Sequence, residues 1–120
     1  MALVIRKPAT IKAAGTKEKI IREHFGRVNT RTEEVSIAHM TSPEGWEEPG
    51  QCPDFNEYTL VLKGSVKVKT KSGEFILKEG EGILTEKGEW VQYSTPFPGG
   101  ADYIAVCVPA FSPDLVHRDS

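Results

Sequence analysis

Residues 57–69 read Glu-Tyr-Thr-Leu-Val-Leu-Lys-Gly-Ser-Val-Lys-Val-Lys, and the two halves of that stretch follow different rules. Val66 to Lys69 alternates apolar and charged side chains, the period of a strand with one buried and one wet face. Tyr58 to Leu62 is apolar at nearly every position, so both of its faces need cover. The N-terminal segment or a second subunit is expected to cover the outer one. Lys71 to Glu74 then makes a hairpin turn at Gly73, and Phe75-Ile76-Leu77 returns.

The same grammar extends in both directions. Gly80-Glu81-Gly82 and Glu86-Lys87-Gly88 are turns around a short strand, Ile83 to Thr85. Trp90 to Tyr93 and Tyr103 to Val108 follow as strands, and Val35 to Met40 precedes them. Thr16 to Phe25 fits a short amphipathic helix or a strand ending at Gly26, and its β-branched Ile20-Ile21 favours the strand. Pro113 to His117 is expected to lie along the surface. Many short antiparallel strands with little helix imply an all-β jelly-roll barrel, which protects its sheet edges.

The chain has 120 residues, the size of one domain, and its formal net charge is −2. No basic stripe is available to neutralise phosphates, so nucleic acid is not an expected partner. No apolar run approaches the ~20 residues of a membrane span, and the start shows no signal-peptide pattern. A cytoplasmic location is expected. Cys52 and Cys107, the only cysteines, read as reduced thiols.

Glu57 and Gly64 have the E-x6-G spacing of the first cupin motif, and Gly80, Gly82 and Gly88 echo the second. On these residues the chain resembles the small single-domain cupins, with a more distant likeness to the ethanolamine-utilisation cupin. The resemblance implies a barrel over residues 33–110; the doubly apolar strand 58–62 and Ile20-Ile21 point to a dimer, so 1–32 is expected to hold N-terminal strands and a dimerisation segment, and 111–120 a tail. It also implies that Glu57 points into the barrel at a metal-facing position.

The metal set itself is degenerate. Aligning the first motif on Glu57 puts Gln51 and Pro53, or Gly50 and Cys52, at the two histidine positions, and Val91 at the third. A tightly held divalent metal is not expected from such donors. The residues expected to line the interior instead are Glu57, His39, Gln51 and Tyr93. His39 is placed inward with Val35 and Ile37, as base or acid partner of Glu57. Tyr93 shares its face with Val91, and His39 with Tyr93 would resemble the base–acid pair of metal-free sugar epimerases in the cupin superfamily. Trp46 and Trp90 are assigned to core or interface, Glu47 and Glu48 to a solvated loop, and His24 and His117 to the periphery.

These residues suggest a homodimeric cupin binding a small polar organic ligand, with an isomerase or lyase step open to it. Two alternatives remain: an enzyme with a loosely bound metal on Glu57, Gln51, His39 and Cys52, or a non-catalytic sensor with a filled barrel. A ligand-binding interior should hold a cavity of about 300 Å³ or more.

Overall fold

The computed structural model describes all residues, Met1–Ser120. Nine strands form in chain order: β1 (Ala9–Ile11), β2 (Ile20–Phe25), β3 (Ser36–Ser42), β4 (Trp46–Glu47), β5 (Asn56–Thr70), β6 (Gly73–Lys78), β7 (Gly82–Thr85), β8 (Val91–Thr95) and β9 (Ala101–Val108). The only helical element is a 3₁₀ turn at Pro113–Leu115, capped by the Ser112 hydroxyl. No helix is long and apolar enough to cross a membrane.

All strand pairs are antiparallel, and β5 belongs to two sheets. Its first half pairs with β9 and β7, in a sheet that continues through β3 and β2 to β1. Its second half pairs with β6 and β8, and β8 carries β4. The bend between the halves lies at a register shift between Val61 and Lys63, next to Gly64. There the backbone has φ +80°, and a Cβ on Gly64 would stand 2.1 Å from the Gly100 carbonyl oxygen. Only glycine fits that corner, a physical reason for the glycine of the E-x6-G spacing. The result is a curled all-β jelly roll with the core between its two sheets.

Along the first half of β5 exposure alternates strictly. Thr59 and Val61 are buried, while Tyr58, Leu60 and Leu62 are 47%, 47% and 43% exposed. The N-terminal strands do not cover those outer residues. β1 and β2 extend the sheet sideways, because β2 hydrogen-bonds to the free edge of β3. The tail also departs from a purely surface course: Val116 is buried against Phe55 and Cys107, with Phe111 and Leu115 packed beside them.

Candidate functional site

The inner surface of the first sheet is organised in rows set by strand register. One row crosses four strands as Ser36, Cys107, Glu57 and Thr85. The next holds Ala38, Ala105 and Thr59, and the third Met40, Tyr103 and Val61. The polar row is thus separated from the apolar one by two alanines, whose small side chains leave room above the sheet. That room is a cavity of about 70 Å³. It is smaller than the expected 300 Å³, because Lys12, Ala13, Ala14 and Lys19 of the β1–β2 connection project over it. By this measure it holds about five waters, or a ligand of a few non-hydrogen atoms.

Glu57 looks into this space from β5, and Tyr93 reaches it from the facing β8. The Tyr93 hydroxyl is 3.0 Å from the Thr85 hydroxyl. Burial pushes the Glu57 carboxyl above its ordinary range, while the Lys19 charge and a hydrogen bond from Tyr93 pull it back. Burial, reinforced by Glu57, pushes the Tyr93 phenol up as well. Cys107 is raised for the same two reasons, so its thiol stays protonated. Gln51 is buried at the rim, its backbone exchanging hydrogen bonds with Val91 at 3.0 and 2.9 Å.

Three of the four residues read from the sequence therefore meet in one cavity: Gln51, Glu57 and Tyr93. His39 does not join them. The inward residues of β3 are Ser36, Ala38 and Met40, and His39 has the opposite parity. Its Nε2 sits 3.9 Å from Asp102 Oδ1 on the outer side of the sheet. The apolar Ile37, used to infer the inward face, is on that outer face too. A His39–Glu57 pair and a His39–Tyr93 pair are both excluded by this register.

The resemblance to cupins raises the question of a metal, and the donors present do not fit one. Val91 is wholly buried in the apolar core, where the third imidazole would stand. No three side chains of His, Cys, Asp or Glu converge. The set of Glu57, Gln51 and His39 is split across two faces of the sheet, as described above. Cys52 is a half-buried free thiol and Cys107 a buried one.

Glu48, Lys19 and Arg118 complete the cavity and were not anticipated. Trp46 is buried in the core, and Glu48, two residues on, shares its inward direction. That parity was the available signal, hidden by the acidic, loop-like composition of residues 45–50. Burial pushes the Glu48 carboxyl up to about 7; Lys19 opposes the shift, Glu57 adds to it, and Arg118 opposes it. Glu48 Oε2 and Thr59 Oγ1 are both buried without a hydrogen-bond partner. Trp90 points away from the cavity and donates to Asp119 at 3.0 Å. His117 pairs with Asp54 at 2.6 Å on the surface.

No protein-family model matches the chain. Among curated proteins it is similar to an endoribonuclease YbeY of Myxococcus xanthus, 37% identical over 102 residues. That match takes in 85% of this chain but 35% of the other, so the chain spans about a third of its relative's length. Among solved structures it is similar to the EutQ protein of Clostridium difficile, with TM-score 0.64 and 20% identity over 78% of this chain and 64% of that one. The polyketide cyclase RemF of Streptomyces resistomycificus superposes with TM-score 0.77 and 17% identity, covering 100% of this chain and 87% of that one. At these identities the likeness is one of fold, and the fold is that of the cupins.

Proposed function

We propose that this cupin-fold protein binds a small polar organic molecule in the cavity beneath the β1–β2 connection, with Glu57, Tyr93 and Gln51 as polar lining. The observation that carries this reading is that two of the three unpartnered buried side-chain atoms, Glu48 Oε2 and Thr59 Oγ1, belong to residues lining this one cavity, the third being His39 Nε2. A buried donor or acceptor left unmade costs about 1–3 kcal/mol, which a ligand's polar groups would recover. A fully packed barrel would leave no such space.

The chemistry open to such a site is proton transfer. Glu57, a carboxyl raised by burial, lies beside a phenol that stays protonated, and the two can act as base and acid on the same side of a bound carbon acid. That is the requirement of a metal-independent isomerase or lyase. The fold neighbours perform varied chemistry, so the reaction rests on the site alone.

The test is a ligand screen by thermal shift on the wild type and on Glu57→Gln. The reading expects a small polar compound to raise the melting temperature of the wild type and to lose at least tenfold in affinity in the variant. Equal binding by both proteins would remove Glu57 from the site.

The outer face of the same sheet supports a second element, self-association. Tyr58, Leu60, Leu62 and Leu84 are each more than 40% exposed, and register places Ile104 and Val106 between them and β3. Arg22 and Asp102 at the margins supply both signs of charge, which a two-fold pairing of identical faces can match. The occupant is a second copy of the chain, as an exposed apolar sheet of this extent favours a stable partner. Light scattering should give a dimer mass, and Leu60→Glu should give a monomer. The two free thiols suit a reducing compartment such as the cytoplasm.

A further inference from the structure

Three cationic side chains, Lys12, Lys19 and Arg118, line the cavity, and Lys19 is the one placed over aromatic rings. The Lys19 ammonium lies 3.9 Å from the centroid of the Trp46 ring and 5.2 Å from that of Tyr103. It is also the leading positive charge acting on both Glu48 and Glu57. Two aromatic faces and two carboxylates around one ammonium form a recognition set for R–NH3⁺ in general, whoever owns the stem.

The fit of Lys19 to that set is incomplete. Its nitrogen makes no hydrogen bond with a side chain or carbonyl and reaches no carboxylate oxygen within ion-pair distance. Glu48 Oε2 stays without a donor even though an ammonium sits in the same cavity. The backbone around Lys19, by contrast, is fixed. Ala14 accepts from the Trp46 indole at 3.0 Å, and Thr16 donates to the Glu47 carbonyl at 2.9 Å. A Cβ on Gly15 would fall 2.3 Å from Trp46 Nε1, so the connection lies directly on the indole. The side chain of Lys19 is therefore the movable part, a flexible four-carbon stem beside solvent.

We propose that the cavity recognises a small primary ammonium compound, whose cationic head replaces that of Lys19 over Trp46 and Tyr103 and faces Glu48 and Glu57. Lys19 is then a built-in stand-in that neutralises the two acids until the ligand arrives. The limited volume follows, since a swing of the Lys19 stem releases further space. This inference rests on the reading that the cavity binds a small molecule, and it names the class. A carboxylate or phosphate ligand would meet Glu48 and Glu57 without gaining either ring.

The test uses three probes of similar size, n-propylammonium, propionate and 1-propanol, at pH 8 on the wild type, Lys19→Ala and Lys19→Gln. Binding is read from the melting temperature and from the Trp46 indole N–H resonance. The proposal expects n-propylammonium alone to bind and to shift that resonance. Its affinity should rise at least tenfold in both Lys19 variants, where the competitor is gone, and fall at least tenfold in Glu48→Gln. Lys19→Gln keeps the first part of the stem without the charge and serves if the alanine variant does not fold. Propionate or propanol binding in place of the amine would overturn the ammonium class and leave the small-molecule reading standing. No binding of any probe to any variant would overturn both. Binding of the amine to the variants but not to the wild type would overturn displacement of Lys19.

Discussion

The two ends of the interior differ although one strand, β5, runs through both. At one end Val66 and Val68 are fully buried with Trp46 and Val91, in a dry core that holds the two sheets together. At the other, the same strand presents Glu57 and Thr59 to a cavity flanked by Cys107 and Tyr93. A chain of 120 residues has little core to spare, and burying acids there costs stability. The apolar end supplies the stability; the polar end is the one to which the binding proposed above is assigned.

Substitutions and pH can each disturb that contrast. Val68→Asp would bury an unpaired charge between Phe75 and Tyr93, its neighbours on β6 and β8, and should cost more than about 4 kcal/mol. Chemical denaturation or failure to express folded protein would show it.

Next comes pH. Glu48 releases its proton near 4.5 in the unfolded chain but only at about 7 in the folded one. Below pH 4.5 both states keep the proton; between 4.5 and 7 only the unfolded state loses it, so stability falls as pH rises through that window. Lys19, Glu57 and Arg118 are the charged groups that set this value. The fall should approach about 3 kcal/mol from this residue, with Glu57 adding in the same direction. Glu48→Gln should flatten the profile in urea titrations at a series of pH values.

Glu57→Gln should change stability by less than about 1 kcal/mol at pH 5, because the amide resembles the protonated acid in shape and hydrogen bonding. At pH 9 it should stabilise, since the buried charge is gone. The smallest effect belongs to His39→Gln. On the outer face, beside Asp102, it should shift stability by within about 0.5 kcal/mol and leave ligand binding intact.

His39 also shows where sequence reasoning stops. The jelly roll was legible because glycine turns and strand alternation are local signals, and Gly64 marks a corner that no other residue fits. Gln51, Glu57 and Tyr93 reach the cavity because motif spacing and parity carry across a strand. On β3 the rule that apolar residues face inward fails. The inward positions there are Ser36 and Ala38, kept small beside the cavity, while Ile37 faces the outer, still apolar surface. Lys19 and Arg118 arrive from opposite ends of the chain, a convergence set by tertiary packing and absent from any local pattern. Glu48 was readable in principle, through its shared parity with the buried Trp46.

The most direct test of a polar, water-restricted interior is a carbon-13 NMR titration of the glutamate side-chain carboxyls. The account predicts that Glu48 titrates near pH 7 and Glu57 above the ordinary carboxylate range, both well separated from the surface glutamates. Two carboxyls titrating together with the surface set would place them in bulk solvent and contradict it.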